Sequence, residues 1–288
     1  MPSLPRLKTE VPEMDRVDRM GWTSGFSLQS YGVKLGIRSN DSAAVARASE
    51  FLPSDWRPIS SEKVDRIYSL LIPNGGGLTK RFNALYGNEV RLARSRDVNE
   101  IFDRLESDVR LFVAEYAKNR VFVHAGVVGW KGQAIVIPGR SYSGKSSLVA
   151  QLVRAGATYY SDEYAVFDSR GRVHPFAKPL ELRKPGEYSQ SRVHVHEIGG
   201  EHGTKPLRVG LVVLTSFEEG NRWRPRKLSP GRGVLELLSN TVSARRDPAA
   251  ALQTLEKVAA QATVLKGPRG EAEQIAPAIL RKLEALTS

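Results

Sequence analysis

The stretch Gly139-Arg140-Ser141-Tyr142-Ser143-Gly144-Lys145-Ser146 decides the fold, because it matches GxxxxGKS between two segments of different periodicity. The run before it, Gln133-Ala134-Ile135-Val136-Ile137, is apolar and β-branched, which predicts a strand. The run after it, Ser147-Leu148-Val149-Ala150-Gln151-Leu152-Val153, has leucine and valine at helical spacing. Strand, glycine-rich loop and helix in this order are typical of a phosphate-binding loop, so the sequence predicts an α/β domain with a nucleotide site.

The residue types of this loop suit phosphate. Glycines let the backbone curl so that successive N–H groups point at phosphate oxygens at a helix N-terminus, where the helix dipole also favours anions. Lys145 is expected to reach the β- and γ-phosphates of ATP, and the Ser146 hydroxyl to bind Mg²⁺. The full set expected to hold the nucleotide is Gly139, Ser141, Ser143, Gly144, Lys145, Ser146 and Ser147.

A second observation concerns the acid that such a site needs. Many phosphate-loop enzymes end a second apolar strand with an Asp that helps to hold Mg²⁺. The best such strand here, Gly210-Leu211-Val212-Val213-Leu214, is followed by Thr215. Paired acids are available instead at Asp162-Glu163, where they interrupt a strand-like run soon after the loop helix. We therefore expect these two acids to serve the phosphate site.

The order of these features resembles the catalytic domain of the HPr kinase/phosphorylase family. The resemblance covers roughly residues 118 to 190, from His124 in a strand through the loop and the acid pair to Leu180-Glu181-Leu182-Arg183. It implies a P-loop domain with a mixed central sheet, and catalysis by Asp162, Lys145 and His124. By the same resemblance Asp162 is the catalytic base, Glu163 contacts Mg²⁺ together with Ser146, and His124 lies near the phosphoryl site.

The sequence departs from that family at several points. Ser147 stands where bacterial HPr kinases usually have Glu, Glu163 replaces a second Asp, and the glycine-rich signature survives only as Leu180-Glu181-Leu182-Arg183. We carry over ATP binding and kinase chemistry, but neither HPr as the substrate nor the phosphorolysis reaction. The expected activity is transfer of the γ-phosphoryl of ATP to a hydroxyl, such as a serine of a peptide or small protein, with a small molecule as another acceptor.

Two other functions compete with this interpretation. One is a regulatory or scaffold module that binds a nucleotide without transferring its phosphate. The other is an ATPase driven by RNA or DNA, which the missing strand-end Asp after Leu214 disfavours.

Composition limits the remaining choices. The chain has a net charge of +12 and no cysteine, which excludes disulfides, thiolate metal sites and cysteine catalysis. We find no nucleic-acid motif and no basic run interleaved with aromatics, so we do not expect nucleic-acid binding and interpret the charge as solvated surface and phosphate handling. An acidic peptide substrate would also account for this charge.

No apolar run approaches the roughly 18 residues of a membrane helix, so we expect a cytoplasmic protein without membrane contact. A homo-oligomer is compatible with the sequence.

The pattern along the chain predicts three parts. Residues 1–22 are rich in proline and charge and predict a flexible leader, 23–95 a small α+β accessory domain, and 96–288 the P-loop catalytic domain. A long amphipathic helix beginning at Ser95 or Asp97 is expected to pack on the catalytic sheet. The triple glycine at 75–77 predicts a turn, and His194 and His196 predict a loop near the substrate more than a metal-binding pair.

Overall fold

The computed structural model describes residues 13–73, 82–139, 143–183 and 190–287. Within this part the chain divides into two compact units, 1–113 and 114–288. The expected turn at the triple glycine 75–77 lies outside the described residues.

The first unit is built on a six-stranded sheet of order β3-β1-β2-β4-β5-β6. Its elements are α1 Glu13–Asp18, β1 Ser24–Ser30, β2 Val33–Ser39, α2 Ser42–Ala48, a 3₁₀ turn Ser49–Phe51, β3 Arg57–Ile59, β4 Arg66–Leu71, β5 Asn83–Gly87, β6 Val90–Ser95 and α3 Val98–Tyr116. Strands β1 and β2 form a hairpin around Gly32 and pair antiparallel over their whole length. Strands β5 and β6 also form an antiparallel hairpin, joined by a turn in which Asn88 takes φ +53°.

Part of the expected flexible leader is folded. Helix α1 buries Val17, and the Trp22 indole donates a 2.9 Å hydrogen bond to the Val17 carbonyl. Asp18 at the end of α1 forms an ion pair with Arg38 of β2. These contacts attach residues 13–22 to the sheet of the first unit.

Helix α3 shows its contacts, up to Val113, within the first unit. Phe102 stacks on Phe51 with ring centroids 5.1 Å apart, and Asp108 accepts a hydrogen bond from Tyr68 and an ion pair from Arg66, both at 2.9 Å. We expected this helix to pack on the sheet that carries the phosphate loop. An apolar stripe shows that one face of a helix is buried, but not which partner buries it.

The second unit has an eight-stranded mixed sheet covered by helices on both faces, an α/β arrangement. Its elements are β7 Val121–Trp130, β8 Gln133–Pro138, α4 Lys145–Arg154, β9 Thr158–Ser161, β10 Tyr164–Phe167, β11 Arg172–His174, β12 Leu180–Arg183, β13 Gln190–Val193, a 3₁₀ turn Val195–Ile198, β14 Leu207–Leu214, β15 Arg226–Lys227, α5 Pro230–Leu238, a 3₁₀ turn Ser243–Arg245, α6 Pro248–Gln261, β16 Thr263–Lys266 and α7 Ala272–Thr287. The main sheet has the order β11-β10-β7-β8-β14-β16-β15, with β9 paired beside β10 on β7.

The loop strand lies at the centre of this sheet. Strand β8 pairs antiparallel with β7 and parallel with β14, and β14 pairs parallel with β16. Helices α4 and α7 bury their apolar side chains on one face, and α5 and α6 on the other. A central strand covered on both faces is fully buried, as the near-continuous apolar run 134–137 predicts.

Candidate functional site

The candidate site begins where β8 passes into α4. The backbone turns sharply there, with Gly144 at φ +79° immediately before the helix, a conformation that favours glycine. Gly139 and Ser143 lie against each other, since a Cβ on Gly139 would come within 2.7 Å of the Ser143 Oγ. The loop therefore folds back on itself and needs glycine at positions 139 and 144. Arg140, Tyr142 and the predicted ligand Ser141 lie outside the described residues.

The start of α4 provides an environment for an anion. The first described hydrogen bond of the helix runs from the Leu148 amide to the Gly144 carbonyl at 3.2 Å, so the amides of the preceding turn point out of the helix end. The helix dipole adds a partial positive charge at the same place. Within the described residues the buried Ser143 hydroxyl has no hydrogen-bond partner. These features fit a phosphate group. Ser147, which was also expected to hold the nucleotide, is exposed on the first turn of α4.

The acid pair lies in a step between two strands that both pair with β7. Ser161 of β9 is opposite Val127, and Tyr164 of β10 is opposite His124. The Ser161 hydroxyl accepts hydrogen bonds from the amides of Glu163 and Tyr164, at 3.1 and 3.0 Å. This local turn directs the intervening acids away from the regular strand pairing, as the interrupted apolar pattern predicts.

Asp162 is joined directly to the phosphate loop. The Ser146 hydroxyl donates a 3.0 Å hydrogen bond to Asp162 Oδ2, and Asp162 is only 5% exposed. The Tyr159 hydroxyl lies 3.1 Å from Asp162 Oδ1 and 2.9 Å from the Lys178 carbonyl, so its single hydrogen is shared between two acceptors. Burial raises the pKa of Asp162, although the charge of Lys178 and the hydrogen bond from Ser146 oppose that change.

Glu163 is more accessible than Asp162 and belongs to a charged cluster. Its carboxylate is 25% exposed and lies 3.5 Å from the ammonium of Lys178, which is also 3.0 Å from Glu181. Burial alone would lower the pKa of Lys178, but Glu163, Asp162 and Glu181 together raise it, so Lys178 stays charged. Burial lowers the pKa of Lys145, and the two acids oppose that change.

His124 lies beside the acid pair on β7. Its ring is partly buried and lies 4.8 Å from the Tyr164 ring, and its carbonyl accepts a 3.1 Å hydrogen bond from the Gly139 amide. Burial lowers the pKa of His124, the charge of Glu163 opposes that change, and the charge of Lys145 adds to it. The imidazole is therefore neutral near pH 7, and His124 also ties the start of the loop to β7.

Three residues of the site were not predicted from the sequence. Tyr159 and Lys178 contact the acid pair, and Arg269 donates a 2.9 Å hydrogen bond to the Gly144 carbonyl from 125 positions away. Arg269 is only 2% exposed. A lysine before a short strand and an arginine in a connection have no local pattern that marks them as part of a site.

Within the described part of the chain, no three His, Asp or Glu side chains come together in a group that could hold a metal ion. Mg²⁺ does not need such a group, because it is commonly held by one or two carboxylates together with substrate phosphates and water. The oxygens of Ser146 and Asp162 fit that kind of site. His194 and His196 stack at the start of a 3₁₀ turn, with ring centroids 5.4 Å apart, and do not lie on the face of a strand.

No protein-family model and no curated protein match this sequence. A solved structure that it resembles is that of the Hpr(Ser) kinase/phosphatase from Coxiella burnetii. The two chains are 12% identical with a TM-score of 0.32, over 58% of this chain and 97% of that chain. This similarity amounts to a distant structural relationship. Among the described residues, no helix combines the length and the apolar character needed to cross a bilayer.

Proposed function

We propose that this chain is an ATP-dependent phosphotransferase that moves the γ-phosphoryl group of ATP to a hydroxyl, with a serine of a peptide or small protein as the acceptor. The observation that supports this most is the 3.0 Å hydrogen bond between Ser146 and Asp162. This bond joins an acid to the hydroxyl that binds Mg²⁺ in phosphate loops. Strand β14, where many such enzymes carry the acid, ends without an Asp.

The geometry suggests a different division of work between the acids than the family resemblance does. Asp162 is buried and bonded to Ser146, so we assign both to Mg²⁺. Glu163 is adjacent and more exposed, so an acceptor hydroxyl arriving from solvent can reach it, and we assign it as the proton acceptor. When bound, Mg²⁺ would neutralise charge on the transferred phosphoryl group.

The remaining residues bind and orient. Lys145 and the first-turn amides of α4 would hold the phosphates of ATP. Lys178 holds Glu163 and Glu181 in place, and Tyr159 fixes the carboxylate of Asp162. Neutral His124 adds no charge to this arrangement.

One contact favours the competing function. The ion pair between Glu163 and Lys178 engages the carboxylate that would accept the proton. In a passive nucleotide-binding module this pair would be permanent. In a kinase, binding of the acceptor would have to displace or bypass it.

The test measures ATP binding and phosphoryl transfer separately. Isothermal titration with Mg-ATP should show binding by the wild type and a large loss in Lys145→Ala, with both proteins folded by circular dichroism. Transfer from γ-labelled ATP to an array of serine-containing peptides should be visible for the wild type only. Binding without transfer to any peptide, protein or sugar acceptor would establish the passive module, and equal ATP affinity in Lys145→Ala would contradict both functions.

A further inference from the structure

A groove lies at the β15 edge of the main sheet, between β15 and the last turns of α7. It has a volume of about 520 Å³. Trp223, Leu265 and Leu286 contribute apolar surface to it, and its charged lining residues are three cations, Lys227, Arg281 and Lys282. We call this feature the basic groove.

The sequence beside the basic groove is itself rich in cations. Contrary to our expectation, the chain has a basic run interleaved with an aromatic residue, Arg222-Trp223-Arg224-Pro225-Arg226-Lys227. Its three arginines and its lysine are all exposed. The chain therefore concentrates part of its positive charge at this edge of the sheet.

Neighbouring acids compensate only part of the positive charge of the basic groove. Within the described residues, none of the three rim cations forms an ion pair. The nearby acid of α7, Glu284, is bound to Lys131 at 2.8 Å and to the Trp130 indole at 3.0 Å, and it also feels the charge of Arg281. Like charges around one concave surface repel each other and create a positive potential that attracts an anionic partner.

The apolar surface narrows the class of partner. Leu286 is 42% exposed, and Trp223 is half-buried at the side of the groove. A partner that fills the groove must therefore present apolar side chains as well as negative charge. A nucleic acid would gain most from exposed aromatic platforms, and a membrane surface is too flat to enter a concave site. An acidic peptide with apolar side chains meets both requirements.

The edge strand makes pairing by an added β-strand less suitable. Strand β15 pairs with β16 on one side and is the last strand of the sheet on the other. It is only two residues long and follows Pro225, which has no amide hydrogen to donate. Recognition by side chains in the basic groove is therefore the better mode.

We infer that the basic groove docks an acidic, amphipathic peptide segment of a partner protein. Apolar side chains of the segment rest on Trp223 and Leu286, and its carboxylates meet Lys227, Arg281 and Lys282. This inference does not depend on the proposed phosphotransferase activity.

The experiment uses fluorescence anisotropy with the full-length protein. The probe is a labelled helical peptide of about 12 residues made of Glu and Leu, with the leucines on one face. Arg281→Glu/Lys282→Glu should weaken binding at least about tenfold. The matched control is Arg170→Glu/Arg232→Glu, two exposed cations that do not line the groove and that change the net charge equally. This control should bind within about twofold of the wild type.

Further arms separate the basic groove from diffuse charge. Leu286→Ser, at an exposed position, should weaken binding of the Glu/Leu peptide. The weaker binding of polyglutamate, which has no apolar side chains, should stay unchanged. Absence of peptide binding, or an equal loss in the two double variants, would overturn the inference. Tighter binding of single-stranded DNA or of phosphatidylserine vesicles, lost in the same groove variant, would replace the peptide by a nucleic acid or a membrane.

Discussion

The guanidinium of Arg269 holds the carbonyl of Gly144, the last residue before the phosphate-loop helix. Nη2 donates to Gly144 O at 2.9 Å, and Nη1 donates to Gly270 O at the same distance. A Cβ on Gly144 would come within 2.5 Å of Nη2, so the glycine and the arginine fit each other. The connection after β16 therefore supports the loop conformation that β8 and α4 begin.

Replacing Arg269 should damage the loop more than the fold. In Arg269→Met the Gly144 carbonyl loses its donor, and we expect Mg-ATP affinity to fall about tenfold with a destabilisation of about 1–3 kcal/mol. Titration calorimetry and urea unfolding measure the two effects. Arg269→Lys keeps the charge and should recover part of the ATP affinity. An Arg269→Met protein with wild-type ATP affinity would show that this contact serves stability alone.

The site could be predicted from the sequence wherever its determinants are local. The strand, loop and helix at 133–153 and the interrupted strand at Asp162 follow from short patterns of apolar residues and glycine. Arg269 could not be predicted, because its contact with Gly144 is created by the parallel order of β8, β14 and β16. The roles of the two acids also depend on tertiary contacts, since only the folded chain shows which acid meets Ser146.

The same limit applies to the surroundings of the site. The amphipathic pattern of α3 predicts the helix correctly, but its contacts with Phe51 of the 3₁₀ turn and Tyr68 of β4 depend on the tertiary fold of the first unit. Strand β15 has only two residues, too few for any periodicity. The basic groove combines the basic run 222–227 with α7, so the linear pattern marks only one of its two sides.

Asp168 should stabilise the fold in a manner that depends on pH. Burial alone would raise the pKa of this carboxyl, but hydrogen bonds from His174, from the amides of Arg172 and Arg170 and from the Arg172 guanidinium lower it from 3.8 to about 2. A lowered folded-state pKa stabilises the protein above the unfolded-state value, and this contribution is lost as the pH falls from 3.8 towards about 2.

We therefore expect Asp168→Asn to cost about 2 kcal/mol at neutral pH. Urea unfolding at neutral pH and at the lowest pH where the wild type stays folded measures this difference, which should shrink in acid. Glu256→Gln removes an exposed carboxylate of α6 and is the control. A cost that does not change with pH would assign the effect to packing.

His124 should also make the stability depend on pH, but here because burial disfavours the charged form of the side chain in the folded state. Its folded-state pKa is lowered by burial, so the unfolded chain takes up a proton first as the pH falls below the ordinary value of 6.5. Its contribution to stability therefore decreases with falling pH in that range. His124→Gln should flatten this part of the stability profile, while His196→Gln, at an exposed position, should not. Identical profiles for the wild type and His124→Gln would contradict a buried neutral imidazole.

The division of work between Asp162 and Glu163 can be decided by two nearly isosteric variants. If Asp162 shares Mg²⁺ with Ser146, Asp162→Asn should raise the Mg²⁺ concentration needed for ATP binding by at least about tenfold. If Glu163 accepts the proton, Glu163→Gln should leave Mg-ATP affinity within a few-fold and lower the rate of transfer roughly 10²–10⁴-fold. Titration calorimetry at several Mg²⁺ concentrations and transfer from γ-labelled ATP measure the two effects.

The control for this last pair is Glu181→Gln, because Glu181 also forms an ion pair with Lys178, at 3.0 Å. It disturbs the same ammonium without removing an acid next to Ser146, so transfer should fall by less than about tenfold, as expected for a partly exposed ion pair. The reverse result, with transfer abolished and Mg²⁺ dependence unchanged in Asp162→Asn, would restore Asp162 as the base and leave Glu163 for the metal. Full transfer activity in Glu163→Gln would likewise exclude Glu163 as the proton acceptor, because the amide cannot take up the proton of the attacking hydroxyl.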